Sequence, residues 1–231
     1  MTSPRYAIYY TPAETDPLHI RAAKWLGRDA FVCKALDQSP LNGFDADEID
    51  RMTRGPRHYG FHATMKAPFE LAEGKTQADL LSHLERFASG QGAFRVEISP
   101  QCLGEFLAFR LNHPSHDMTK LHTACVTEFD SFRAPLSEAD IARRRRAKLS
   151  PEQDARMLEW GYPFIFDDFR WHMTLSNRIK SDMTRSKALE GLKALFFDTY
   201  QEPHLVDGIA VFFQRDRDAP FHVLKRAQFA K

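Results

Sequence analysis

The chain has 231 residues, 43% of them apolar and 27% charged, with nineteen Phe; this suits one large domain or two small lobes and excludes global disorder. A formal net charge of +1 excludes a histone-like or membrane-surface character for the chain as a whole, so any affinity for nucleic acid must come from a local patch. Three widely separated cysteines, Cys33, Cys102 and Cys125, form no Cys-x-x-Cys pair and predict free thiols in a reducing, cytoplasmic compartment.

In chain order, Arg5–Tyr10 is aromatic and β-branched, closes on Thr11-Pro12, and predicts a strand. Leu18, Ala22, Trp25 and Leu26 have helical spacing ended by Gly27. Residues 36–57, with Asn42-Gly43 and Gly55-Pro56, predict a long connecting loop holding at most a short helix. Residues 59–66 predict a strand containing His62-Ala-Thr64, and Thr76–Ser89 a helix with Thr76 as N-cap. Strands follow at Phe94–Ile98 and Phe106–Leu111. Helices are predicted near Met118–Phe132 and Ser137–Trp160, the latter split around Ser150-Pro151. Phe169–Ser176 predicts a strand containing His172-Met-Thr174, Thr184–Phe197 a helix, and Leu205–Phe213 and Phe221–Phe229 two last strands. The order strand, helix, strand, strand thus occurs twice, over about 59–112 and 169–229, and suggests an internal duplication. Between them, residues 137–160 form an Arg-rich helical insert. Its Arg143–Arg146 run has two readings, a solvated helix face or a patch that attracts phosphate.

His-x-Ser/Thr alone is weak, and a third match, His113-Pro-Ser115, is broken by proline. Side chains of a strand alternate between faces with period two. In the second motif Asp168, Arg170, His172, Thr174 and Ser176 share a polar face, while Phe169, Trp171, Met173 and Leu175 share an apolar one. In the first, Gly60, His62, Thr64 and Lys66 oppose Tyr59, Phe61, Ala63 and Met65. Two histidines flanking one phosphorus can take and give protons near neutral pH, one neutral and one protonated. A Thr two residues on donates to a phosphate oxygen, and Lys66, Arg170 and Ser176 are expected to bind substrate on the same faces. Metal ligation is set aside, since Asp168 alone is a carboxylate close to either histidine.

The strings Tyr59-Gly-Phe-His62-Ala-Thr64-Met-Lys66-Ala-Pro68 and Phe169-Arg-Trp-His172-Met-Thr174-Leu-Ser176 resemble the two-histidine (2H) phosphoesterase superfamily. They are similar in particular to a bacterial branch encoded beside phosphonate-utilisation genes, and more widely to RNA-ligase-like cyclic phosphodiesterases. The resemblance implies a single α+β domain over 1–231, bilobal and duplicated, with an antiparallel sheet, helices and a central cleft between pseudo-symmetric lobes. It implies His62 and His172 as the catalytic pair, Thr64 and Thr174 as phosphate ligands, and no cofactor or metal. The expected substrate is a cyclic or linear phosphodiester, either a small molecule or an RNA end. A non-catalytic binder of RNA ends or nucleotides, using the same cleft with Arg143–Arg146, is the rival. Which histidine is acid and which base, which face of strand 5–10 lines the cleft, and the oligomeric state stay open; no membrane association is expected.

Overall fold

The computed structural model describes residues 3–230. Its centre is a seven-stranded sheet built from β1 (Arg5–Tyr10), β4 (Ala63–Phe69), β6 (Ile98–Leu103), β7 (Phe106–Leu111), β8 (His172–Thr174), β10 (Gly208–Gln214) and β11 (His222–Gln228). The spatial order is β11-β10-β1-β4-β8-β7-β6, and every neighbouring pair is antiparallel. The small strands β2 (Arg28–Asp29) and β3 (Lys34–Ala35) pair with each other, as do β5 (Phe94–Val96) and β9 (His204–Val206). The architecture is therefore mixed α and β around one large antiparallel sheet.

Period-two alternation sorts the sheet into two faces. Tyr6, Ile8 and Tyr10 of β1, Met65 of β4, Met173 of β8, Phe109 of β7 and Val211 of β10 belong to the main core. Helices α1 (Pro17–Leu26), α3 (Gln77–Ser89), α4 (His116–Glu128) and α7 (Asp182–Phe196) supply the rest of it through Trp25, Leu84, Cys125 and Leu192. Burial of such side chains contributes about 1.5–3 kcal/mol each against an extended chain, an upper estimate. The opposite face carries a smaller cluster of Ala7, Tyr9, Ala30, Ala210, Phe212 and Phe221. The order strand, helix, small strand, hairpin runs from β4 through α3 to β7, and again from β8 through α7 to β11. Each half of the sheet mixes the two segments: the β6–β7 hairpin lies beside β8, while β10–β11 lies on the β1–β4 side.

Five predicted elements differ from those found. The strands expected at Phe94–Ile98 and Leu205–Phe213 are interrupted at Glu97 and Asp207, where the chain passes from the small β5–β9 sheet into β6 and β10 of the large one. The loop expected over 36–57 contains a fourteen-residue helix, α2 (Ala46–Tyr59), started by a capping box between Asp45 and Glu48. Pro56 breaks no helix here, because the Met52 carbonyl that its missing N–H leaves free accepts from the backbone N–H of Asn177. The first His-x-Thr strand begins at Ala63, not 59, since Tyr59 ends α2 and Gly60 turns the chain at φ 80° and ψ 173°. The strand expected over Phe169–Ser176 shrinks to His172–Thr174: both Leu175 and Ser176 N–H groups donate to the Leu107 carbonyl (2.8 and 3.2 Å), which ends the regular ladder. In the Arg-rich insert, α5 (Glu138–Arg145) and α6 (Pro151–Trp160) are split as expected. Cys33 and Cys102 are exposed, Cys125 is buried, and all three are free. No helix among the described residues is long and apolar enough to cross a membrane.

Candidate active site

β4 and β8 meet at the middle of the sheet, registered at Ala63↔Met173. Continuing that antiparallel register sets His62 against Thr174 and Thr64 against His172. Ala63 and Met173 point into the core, so period two turns all four polar side chains to the opposite face. There they line a cleft of about 520 Å³ together with Tyr9, Tyr59, Tyr162 and four arginines, Arg5, Arg143, Arg144 and Arg217.

The two imidazoles are held by the same local device. His62 Nδ1 lies 2.9 Å from the Gly60 carbonyl, and His172 Nδ1 lies 2.6 Å from the Arg170 carbonyl. A carbonyl only accepts, so each Nδ1 carries a proton and each neutral ring keeps Nε2 as a free base. His62 is clamped further by Tyr9, whose ring stacks on it at 3.8 Å and 21°. Its Nε2 lies 3.5 Å from the Thr64 hydroxyl. Burial pushes His62 down to about 4, against the helpful Gly60 carbonyl, and nearby His172 lowers it further. His172 is lowered too, first by burial and then by Arg110, the Arg170 carbonyl acting the other way. Gly60 is required in this place: a Cβ there would come within 2.6 Å of the Ala30 methyl, at a φ that L residues avoid.

The arginines set the sign of the cleft. No Asp or Glu is among its lining residues. Arg143 and Arg217 share Asp140, at 2.5 and 3.0 Å, which lines a small recess adjoining the cleft. Arg5 donates from Nε to the Gln214 amide oxygen (2.8 Å) and lies 5.5 Å over the Phe221 ring. Arg144 lies over Tyr162 at 5.2 Å, and its Nε is buried with no partner. Burial lowers the pKa of both Arg5 and Arg144, yet a guanidinium remains charged at any ordinary pH. A cavity lined by two histidines, two threonines and unneutralised guanidiniums is suited to a phosphate ester and to proton transfer about it.

Of three further residues expected beside the substrate, Lys66 and Ser176 lie elsewhere. Lys66 is buried at 3% exposure, donating to the Val126 carbonyl and to Asp130, both at 2.8 Å. The cause is a pair of register shifts between β1 and β4 flanking Ile8↔Lys66, which break the alternation that relates Thr64 to Lys66. Ser176, 2% exposed, accepts from the Leu107 N–H (2.9 Å) and donates to the Asn177 carbonyl (2.8 Å), because the ladder has already ended. Arg170 does not line this cleft but, with Thr64 and His172, lines an adjoining cavity of about 320 Å³, its guanidinium donating to the Asp167 and Phe169 carbonyls at 3.0 and 3.1 Å. Conversely, half of the Arg143–Arg146 run enters the cleft; Arg145 instead pairs with Asp154 at 2.7 Å. Tyr9 answers which face of β1 looks inward. Arg5, Arg217 and Tyr162 carried no motif, and only the sheet order brings them to the histidines.

His58 stands four residues before His62, the spacing of two helix-borne metal ligands. α2 ends at Tyr59, however, and His58 Nε2 turns to the Gln214 amide at 3.1 Å, away from His62. Among the described residues no three His, Cys, Asp or Glu side chains converge as a metal-binding group.

Fold and site define a mixed α/β protein with a central antiparallel sheet and a cationic, histidine-bearing cleft. Residues 64–222, more than half of the chain, match the DUF1045 family, described as proteins of unknown function, and the chain belongs to that family. The match takes in Thr64, His172 and Thr174 and begins just after His62. Two proteins named ribose 1,5-bisphosphate phosphokinase PhnN are similar in sequence. The one from Janthinobacterium sp. (strain Marseille) is 39% identical over 176 residues, 76% of this chain and 39% of its own. That from Laribacter hongkongensis (strain HLHK9) is 29% identical over 221 residues, 96% of this chain and 51% of its own. This chain therefore spans about half or less of these relatives. A crystal structure of a conserved protein of unknown function, ATU0111 from Agrobacterium tumefaciens str. C58, aligns over 97% of this chain and 85% of its own, at 12% identity and TM-score 0.44.

Proposed function

We propose that the chain is a phosphodiesterase of the two-histidine type, acting without a metal on a cyclic or linear phosphodiester in the cytoplasm. The observation that carries this reading is the cross-strand square of His62, Thr174, His172 and Thr64 on one face of β4 and β8, inside a cleft walled by arginine. The recurrence of strand, helix and hairpin around it supports descent of the two motifs from one duplicated unit.

His62, pushed to about 4, is neutral at physiological pH and serves as the base. Its Nε2 takes a proton from water as the water oxygen bonds to phosphorus. His172, whose pKa the bound anion raises, gives its Nε2 proton to the departing ester oxygen as that P–O bond breaks. One water is consumed, and the histidines end with their protonation exchanged until solvent resets them. Thr64 and Thr174 donate to non-bridging oxygens, and the guanidiniums offset the charge that grows there.

The relatives' name points to phosphorylated ribose as the substrate class and to phosphonate metabolism as the setting. The kinase activity in that name has no evident seat here. The P-loop pattern G-x-x-x-x-G-K-S/T fails at Gly74-Lys75-Thr76, where Phe69 stands in place of the first glycine. The arginine wall also suits a binder of RNA ends that performs no turnover.

The test is a panel of ribose cyclic phosphates, 2′,3′-cyclic nucleotides and linear dinucleotides, incubated with the protein in EDTA and followed by phosphorus NMR. Turnover of one class, reduced on the order of 10² or more in both His62→Ala and His172→Ala, is the expected result. Activity restored only by divalent metal, or near-normal turnover in either folded variant, would overturn the reading. Silence across the panel with tight, salt-dependent RNA binding would favour the binder.

A further inference from the structure

We infer that the arginine wall is a second anion subsite, and that the substrate carries a phosphate monoester on the same carbon skeleton as its scissile diester. This rests on the phosphodiesterase reading for where the scissile phosphorus sits. The argument is one of charge. A phosphodiester carries a single negative charge, and two threonine hydroxyls with a protonated His172 already answer it at the centre of the sheet. The same cleft nevertheless holds four guanidiniums and no carboxylate.

Asp140 accounts for part of that excess. It bonds Arg143 and Arg217, and Glu70 reaches Arg217 at 4.0 Å. Arg5 and Arg144 have no carboxylate partner: the first is held by the neutral amide of Gln214, the second by the face of Tyr162. Arg144 Nε is in addition a buried donor without an acceptor. Withdrawing a guanidinium from water without a counter-ion is costly, and a dianion that accepts bidentate, charge-assisted bonds from two of them removes the deficit. The number of uncompensated cations is the charge of a phosphate monoester above its second pKa, near neutrality.

The placement separates this subsite from the reacting centre. Arg5, Arg143, Arg144 and Arg217 also line an adjoining recess of about 60 Å³, together with Arg133 and with Asp140 and Glu70, the two carboxylates that Arg143 and Arg217 already engage; it contains neither histidine and neither threonine of the motifs. The recess is closed by the turn that starts α5, where Ser137 caps the helix. A substrate lying along the cleft therefore meets the proton-transfer pair at one end and the arginines at the other. The insert that carries Arg143 and Arg144 selects the substrate; the sheet performs the chemistry.

Two measurements on the full chain test this and keep it separable from the diesterase reading. First, ribose 5-phosphate is titrated calorimetrically, at low salt, into the wild type, Arg144→Gln, Arg5→Gln and His62→Ala, with thermal unfolding as a check on folding. The expected result is a weakening of about tenfold or more in both arginine variants and a change within about twofold in His62→Ala. Arg144→Lys, which keeps the charge and loses the planar fork, is expected to recover part of the affinity, and it decides the matter if Arg144→Gln does not fold. Wild-type affinity in the folded arginine variants overturns the subsite, whether or not the protein is a diesterase.

Second, methyl riboside 2,3-cyclic phosphate is compared with its 5-phosphorylated form. The remote phosphate is expected to raise kcat/KM on the order of 10²-fold in the wild type and only a few-fold in Arg144→Gln. Equal turnover of the two esters overturns the selection. Arginine-dependent binding with no turnover of either ester overturns the diesterase reading and leaves the anion subsite standing. If single-stranded RNA binds far more tightly than ribose 5-phosphate, with a salt slope of several phosphates, the wall is a nucleic-acid track and the proposal fails.

Discussion

Replacing Lys66 by methionine separates a structural ammonium from a substrate-binding one. Its Nζ is buried and donates at 2.8 Å to both the Val126 carbonyl and Asp130. Asp130 is itself a quarter exposed and is also held by Arg133 at 2.9 and 3.1 Å. Breaking a buried ion pair costs about 3–5 kcal/mol when it strands the partner charge. Here Arg133 keeps Asp130 compensated, so that figure is an upper bound. What is lost is one charge-assisted bond of about 1.5–3 kcal/mol and the partner of one buried carbonyl, about 1–3 kcal/mol, less the apolar burial of the methionine. A net destabilisation of about 2–3 kcal/mol follows. For a chain of this length it lowers Tm by about 4–12 °C. Urea and thermal unfolding read the stability, and steady-state kinetics on the active ester read the site. KM is expected to stay within about twofold. A Tm within about 2 °C of wild type with a KM raised tenfold would refute the reasoning and return Lys66 to the substrate.

Other consequences are as direct. In the free protein His62 must lose its proton to act as base and His172 must keep its own to act as acid. The profile of kcat/KM should therefore rise through about pH 4 and fall below the usual histidine value of 6.5, giving a mildly acidic optimum; a maximum above pH 7 would refute the assignment. His122, 2% exposed and stacked on Phe169 at 3.6 Å, is also held down to about 4 by burial. Between about pH 6.5 and 4 the unfolded chain binds a proton at His122 that the folded one does not, so stability rises with pH across that window. The loss on acidification approaches about 3 kcal/mol at this residue alone, and a urea-midpoint series should show a shallower acid slope in His122→Gln. Gly60→Ala places a Cβ 2.6 Å from Ala30 at φ 80°, and should cost about 1–3 kcal/mol while moving the carbonyl that orients His62. A stable Gly60→Ala protein with an unchanged rate would show that this carbonyl does not matter.

Much of the fold was legible from local chemistry. Thr76 marked the start of α3, Gly27 the end of α1, and aromatic and β-branched content marked β1. These features depend on residues within one or two turns of each other, where propensity and capping act directly. The pairing of His62-x-Thr64 with His172-x-Thr174 was legible for the same reason: each is a local period-two pattern with an apolar reverse face.

Where the reading failed, a distant contact had overruled a local preference. Gly55-Pro56 reads as a breaker until Asn177, far along the chain, takes up the carbonyl that Pro56 leaves free. Lys66 belongs to the polar row until register shifts against β1 turn it toward Asp130. Ser176 belongs to it until Leu107 captures its hydroxyl. The sequence by itself determined the two His-x-Thr motifs, the helices around them and the arginine-rich insert between them. Only the tertiary structure decided that β4 and β8 lie side by side, and that Arg5 and Arg217 stand with Arg143 and Arg144 over the same cleft. Strand order and register are set by packing summed over the whole sheet, and no window of neighbouring residues contains that sum.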